Sequence, residues 1–285
     1  MSAGGVLVLV ATPIGNLGDL SERAVDALAS ADAVCCEDSR RTGRLLQHAG
    51  VTAPKLLTVN DHTEVAAIAE VLRRLSVGER VVVVTDAGTP GISDPGERLV
   101  GAAIREDHAV EVIPGPSALV TALVGSGLPA GRFVFEGFLP RKGSGRTQRL
   151  TALAAEPRTA VLYEAPHRLA RTLADLVETC GGDRPVVLAR ELTKQHEGWW
   201  RGDLAGALAA TEVRAPRGEY VVVVGGAPPP PEPKDEEVEQ ALRAAAAEGA
   251  STRDAAAEVA RTLGVSRRRA YELAVSAGLT SRPGG

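Results

Sequence analysis

Along the first 128 residues, short runs of β-branched and other apolar residues alternate with longer segments in which apolar positions recur every three or four. The first pattern marks strands and the second amphipathic helices. Strands are expected at 6–10, 33–36, 56–59, 81–84 and 110–113, and helices from 21, at 42–49, 65–75, 97–106 and 118–124. Ser21 has the chemistry of an N-cap, with Ala24, Val25, Leu28 and Ala29 on one face behind it, and Gly50 is suited to a left-handed stop. Five strand–helix alternations make this half α/β with a mostly parallel sheet. The four valines at 81–84 read as a strand buried on both faces, and the chain is organised around them. They lead into TDAGTPGISDPG at 85–96, which carries Asp86, Asp94, Thr89, Ser93 and three glycines. Open parallel sheets bind ligands beyond the carboxyl ends of their strands, so this loop is expected to bind one.

The second half changes character. Strands are expected at 133–138, 160–163, 186–189 and 220–224, and helices at 146–155, 168–180 and 204–211. The Phe-rich strand at 133–138 and the pair Trp199-Trp200 point to antiparallel pairing in a mixed sheet. Residues 228–233 are nearly all proline and form a stiff spacer. Beyond it, helices at 236–247, 252–263 and 267–276, with a tight turn at 264–266, have the spacing of a helix-turn-helix. The expected organisation is an N-terminal α/β domain (1–128), a second α/β domain (129–226), a Pro-rich linker (227–234) and a helical extension (235–285).

Composition narrows the classes. No apolar run reaches the ~20 residues of a membrane span, and the N-terminus lacks the basic region of a signal peptide, so a cytoplasmic location is expected. Cys35, Cys36 and Cys180 have neither disulfide nor zinc spacing and read as reduced thiols. A net charge of −4 argues against a wholly basic nucleic-acid binder. Arginine clusters at 40–44, 141–149 and 267–269 nevertheless suit bidentate phosphate contacts.

The turn at 13–18 sits where a dinucleotide fingerprint would, but Pro13 removes a backbone donor that a pyrophosphate uses. Asp61, His62 and Glu64 have no second cluster to complete a metal site, so no metal is expected. No G-x-S-x-G elbow marks a serine hydrolase. The loop at 114–118 puts small residues and the Ser117 hydroxyl at a helix N-terminus, which suits an anion. Glu164, His167 and Arg168, together with Arg190 and Glu191, follow strands of the second half and suggest a second cleft wall.

Taken together, ATPIGNLGDL, CEDSRRT, TDAGTPGISDPG, IPGPSALVTAL, FEGFLPRK, YEAPHRL and ARELTKQHE, in this order, resemble the ribosomal RNA small subunit methyltransferase I family. That family belongs to the tetrapyrrole methylase superfamily, and the helical tail resembles its C-terminal extension. Departures are small: Ser39 stands where the family usually has Thr, and residues 61–64 vary its usual loop. The resemblance implies two α/β domains with S-adenosyl-L-methionine in the cleft between them, a homodimer, and 2′-O-methylation of a cytidine in the decoding region of 16S rRNA within the small ribosomal subunit. It implies cofactor contacts from Pro13, Ile14, Asp86, Thr89, Ser117 and Ala118, with Tyr163, Glu164, Gly218 and Glu219 from the second domain. A ribose hydroxyl is a weak nucleophile, so a base or a cation would help its attack. Glu37, Asp38 and His62 are candidates for the base. Arg40, Arg41 and Arg168, and Arg267, Arg268 and Arg269 in the tail, are candidates for RNA contact. Two other readings stay open: a methylase of small tetrapyrrole precursors, and an α/β ligand sensor whose helix-turn-helix binds DNA.

Overall fold

The computed structural model describes residues 4–52, 54–59, 63–229 and 232–279. The chain forms two compact units, Met1–Ala227 and Pro228–Gly285.

In the first unit, β1 (Val6–Val10), β2 (Ala33–Cys36), β3 (Lys55–Thr58), β4 (Arg80–Val83) and β5 (Ala109–Ile113) form a sheet in the order β3-β2-β4-β1-β5. Every pairing is parallel. β4 is central, and its valines divide between the two faces as strand alternation requires. Val82 and Val84 pack with Leu28 of α1 (Glu22–Ala29) and Leu46 of α2 (Ser39–His48). Val81 and Val83 pack with Val71 and Leu75 of α3 (Glu64–Ser76) and Leu99 of α4 (Glu97–Arg105). Ser21 caps α1, accepting from the Ala24 N–H at 3.2 Å, but Ala27 rather than Ala29 joins Ala24 and Leu28 in the core.

The second sheet contains β6 (Phe133–Phe138), β7 (Thr159–Glu164), β8 (Pro185–Arg190), β9 (Gly198–Asp203) and β10 (Tyr220–Val224), in the order β6-β7-β10-β8-β9. It is mixed, but the Phe-rich β6 pairs parallel to β7, so its expected antiparallel character is corrected. The antiparallel pairs are those of β10 with β7 and β8, and of β8 with β9, the Trp-bearing strand. One face is covered by α6 (Ser144–Ala155), α7 (Pro166–Cys180) and α8 (Leu204–Val213) through Leu150, Leu173 and Leu204. The other face receives α5 (Ala118–Ser126), whose Ala122 and Leu123 pack with Val161, Val187 and Val223, together with Ile14. This shared cluster joins the two sheets.

The second unit is a three-helix bundle of α9 (Asp235–Ala247), α10 (Thr252–Leu263) and α11 (Arg267–Ser276). Its core is largely alanine around Val238, Leu242 and Val259, which lets the helices approach closely. Gly264 ends α10 at φ +69, and the Ser266 hydroxyl caps α11 by accepting from the Arg269 N–H at 3.2 Å. The Arg269 side chain ties the bundle together, donating to Asp235 at 2.6 Å and to the Pro233 carbonyl at 2.8 Å.

Candidate functional site

Four loops leave the carboxyl ends of β1, β2, β4 and β5 at one edge of the parallel sheet, and backbone bonds fix those after β1 and β4 to each other. Thr12 and Gly88 exchange N–H···O bonds of 2.8 and 3.1 Å, and the Thr12 hydroxyl donates to the Thr85 carbonyl at 3.1 Å. Gly88 has φ +94, a conformation that favours glycine. Because Thr12 supplies the donor, Pro13 beside it loses nothing by having no N–H. The far end of the central loop is held by Glu64, whose carboxylate accepts from the N–H groups of Gly96, Arg98 and Leu99 at 3.0, 3.2 and 3.4 Å. Glu64 is therefore a buried helix cap rather than solvated polar surface.

Asp86 and Glu37 face the cavity from adjacent loops. Asp86 accepts from the Asp38 N–H at 3.3 Å and pairs with Arg41 at 3.3 Å. Glu37 accepts from the Thr85 hydroxyl at 3.2 Å. Asp38 has another role: it is the N-cap of α2, which begins at Ser39 rather than Thr42. Its carboxylate accepts from the Arg40 N–H at 2.8 Å and from the Arg40 guanidinium at 3.1 Å, which holds its pKa down at about 2. A carboxylate held that acidic is a weak general base at neutral pH, and Asp38 does not line the cavity, which favours the cap over the catalytic role. Arg40 is its partner and remains largely exposed to solvent.

The second sheet supplies the opposite wall. Tyr163 meets Phe135 and Phe138 edge-to-face, with centroids 5.0 and 5.7 Å apart, and burial pushes its phenol pKa up. Glu164 is buried and fully engaged. It accepts from the Ala165 N–H at 2.9 Å and the Thr172 hydroxyl at 2.6 Å, and pairs with Arg168 at 3.2 Å. Lys194 bridges Glu191 and Glu219 at 2.9 and 2.8 Å. Burial pulls the Lys194 pKa down, but those two carboxylates outweigh it and keep the ammonium charged. Gly218 has φ +77, and a Cβ there would lie 2.5 Å from the Glu191 carboxyl carbon, so only glycine lets this cluster form.

These walls enclose a cavity of about 540 Å³. Of the expected cofactor residues, Ile14, Asp86, Thr89, Ser117, Ala118, Tyr163, Glu164 and Glu219 line it, while Pro13 and Gly218 do not. Glu37 and Arg41 also line it. Arg168 does not: it donates to the Leu139 carbonyl at 2.6 Å besides pairing with Glu164. His62 lies outside the described residues. In the tail, Arg269 is occupied within the bundle and Arg268 pairs with Glu272 at 2.8 Å, whereas Arg267 is exposed. Ser93 and Asp94 of the 85–96 loop and Phe138 of the FEGFLPRK motif also line the cavity; the motifs that contain them were their signal in the sequence. Among the described residues, no group of three or more His, Cys, Asp or Glu is arranged to hold a metal, and no helix is long and apolar enough to cross a membrane.

The profile of the family "Tetrapyrrole (Corrin/Porphyrin) Methylases" matches residues 6–208, and that of the "RsmI C-terminal HTH domain" matches residues 232–278. The ribosomal RNA small subunit methyltransferase I of Synechocystis sp. is 46% identical over 273 residues, covering 95% of this chain and 98% of its own. The protein of that name from Xylella fastidiosa is 49% identical over 224 residues, covering 78% of this chain and 82% of its own. Among solved structures, uroporphyrin-III C-methyl transferase from Thermus thermophilus, complexed with S-adenyl homocysteine, shares the fold with a TM-score of 0.55. It is 21% identical, and the match covers 78% of this chain and 97% of that one. On the match of these two family models and of a relative 46% identical over nearly its whole length, the chain belongs to the tetrapyrrole methylases and, within them, to the ribosomal RNA small subunit methyltransferase I family.

Proposed function

We propose that this protein transfers a methyl group from S-adenosyl-L-methionine to the ribose 2′-oxygen of a cytidine in the decoding region of 16S rRNA, acting on the small ribosomal subunit in the cytoplasm. The observation that carries the reading is the cavity, whose walls combine Glu37 and the Arg41–Asp86 pair on one side with Lys194 and Glu219 on the other. The Synechocystis relative, named as an rRNA methyltransferase, aligns over 95% of the chain.

The donor set fits the cofactor. A volume of about 540 Å³ is within the range for small-molecule sites. The N-terminus of α5 at Ser117 and Ala118 suits the methionine carboxylate. Asp86 and Glu219 suit its ammonium and ribose hydroxyls, and Ile14, Leu192 and Val221 suit an adenine face. When bound, the cofactor supplies a methyl already activated by a positive sulfur. The protein's part is then to align the 2′-oxygen and receive its proton. Glu37 is the proposed base: it is half-buried, lines the cavity and is oriented by Thr85. Arg41, exposed beside it, is the proposed cation for the developing alkoxide or a neighbouring phosphate. In the tail, the proposed RNA contacts narrow to Arg267 and Arg268. The organisation into domains at 1–128 and 129–226, a linker at 227–234 and an extension at 235–285 is part of the same proposal. So is a homodimer, supported by the exposed apolar residues Val112 on β5 and Val120 and Val124 on α5.

The test is a competition. Protein and methyl-labelled cofactor are given unmodified small subunits, naked 16S rRNA and a tetrapyrrole precursor in parallel. Label in the subunits supports the proposal, and label in the tetrapyrrole instead would overturn it.

A further inference from the structure

After β6 the chain turns through Leu139, Pro140, Arg141, Lys142 and Gly143 before entering α6. Two arginines of the interior hold this turn by its backbone. Arg168 donates to the Leu139 carbonyl at 2.6 Å, and Arg146 to the Pro140 carbonyl at 3.0 Å. Both guanidinium groups are neutralised from below. Arg168 pairs with Glu164 at 3.2 Å and Arg146 with Asp175 at 2.6 Å. The Thr172 hydroxyl links the two pairs, donating to Glu164 at 2.6 Å and accepting from Arg146 at 3.1 Å. Arg146 is only 5% exposed, so this is a satisfied polar network of the interior, which fixes the groups it touches.

What the network carries at its outer end is a pair of uncompensated cations. Arg141 and Lys142 are exposed, and among the described residues neither takes part in a hydrogen bond or ion pair. The other basic groups around the cavity are already engaged: Arg41 by Asp86, Arg168 by Glu164, Lys194 by Glu191 and Glu219. The turn also starts at the cavity, because Phe138 lines it. Arg141 follows three residues later, within about 10 Å of chain even if fully extended. Two free positive charges on a pre-ordered turn at a cavity rim match an anion that recurs along a chain, and ordering the turn in advance lowers the entropic cost of binding it.

Resting on the reading of the cavity as an RNA ribose-methylation site, we propose that the 139–143 turn docks the RNA backbone. Arg141 and Lys142 receive phosphates flanking the nucleotide whose ribose enters the cavity. Arg146, Arg168 and Thr172 are positioning residues that hold the turn at the rim.

The test uses the full-length protein with Arg141→Ala and Lys142→Ala combined, titrated with unmodified small ribosomal subunits over a salt series. Cofactor binding and thermal melting are followed separately. Loss of two phosphate contacts should weaken subunit binding about tenfold or more at low salt and flatten the slope of log K against log salt by about 1.4. Cofactor affinity and melting temperature should not change. If the unsubstituted protein binds and methylates subunits while the double variant keeps its affinity and slope, the docking role is overturned and the functional reading stands. If the unsubstituted protein binds no subunits, both fall. Thr172→Val, which deletes the linking hydroxyl, should raise KM for subunits with kcat unchanged, and Thr172→Ser should restore it. A Val variant that loses stability alone, with KM unmoved, would reduce the network to a structural one and overturn its positioning role.

Discussion

The central loop depends on a single carboxylate 32 residues before Gly96 in the chain. Glu64 is 5% exposed and sits at the head of α4, where one of its oxygens meets the N–H groups of Gly96, Arg98 and Leu99. Those N–H groups have no partner within the helix, and Gly96, at φ +134, has no side chain to cap them. Glu64→Ala removes their acceptor and leaves buried donors unmet. A hydrogen bond to a charged group contributes about 1.5–3 kcal/mol, and loss of an N-cap alone costs about 0.5–2 kcal/mol. The three donors share one oxygen, so these values do not sum, and the expected loss is about 2–4 kcal/mol. At about 2–4 °C per kcal/mol for a unit of this size, the variant should melt roughly 4–16 °C lower. Glu64→Gln keeps a neutral acceptor and should lose roughly half as much. Circular dichroism melts and urea midpoints at constant slope read the effect. Cofactor affinity should fall with it, because the loop bearing Asp86 and Thr89 ends at this cap. A Glu64→Ala protein that melts within about 1 °C of its parent would refute the reasoning.

Four further outcomes follow from the packing. Cys35 and Cys36 are buried while Cys180 is half-buried, so a thiol reagent at pH 8 should modify Cys180 alone in the native protein and all three cysteines in denaturant. Burial first, and the neighbouring Cys36 second, push the Cys35 pKa from 9.0 up to about 12. Its contribution to stability is therefore complete below the ordinary thiol pKa and is lost as pH rises toward about 12, which a falling urea midpoint over that window would register. Gly137→Ala puts a Cβ at φ +59 and 3.0 Å from the Ser93 hydroxyl, where the bulge in β6 meets the central loop. It should cost about 1–3 kcal/mol in a denaturant titration and weaken cofactor binding by moving Phe138. Arg269→Ala removes the bonds to Asp235 and the Pro233 carbonyl, so amides of α11 should exchange faster with solvent in the full-length protein. Arg267→Ala should leave that exchange unchanged.

The parallel half was legible because local signals there agree with the fold. Valine runs give the strands, Ser21 and Ser117 cap helices, and Gly–Pro loops fall at the carboxyl ends of strands. The site was legible where it is built from those loops: Asp86, Thr89 and Ser117 all face the cavity. What escaped was set by distant partners. Nothing in the residues around Glu64 announces the helix N-terminus it caps, and Arg269 reads as one of three surface cations until Asp235 meets it. Asp38 carries both a cap signal and the look of a catalytic acid, and only the Arg40 contact separates them. The aromatics of β6 suggest antiparallel pairing, but strand direction comes from connectivity through α6, not from side-chain type. β9 is an edge strand with two glycines and an exposed end, too weakly patterned to stand out as a strand.

The central claim is most directly tested by identifying the nucleoside that carries the label. Unmodified small subunits are incubated with the protein and methyl-labelled S-adenosyl-L-methionine, and the rRNA is then hydrolysed with alkali and its nucleosides separated. The account predicts label in 2′-O-methylcytidine at a single alkali-resistant linkage, abolished by Asp86→Ala and strongly reduced by Glu37→Gln. Label on a base, or rRNA left unlabelled while the cofactor is bound, would contradict it.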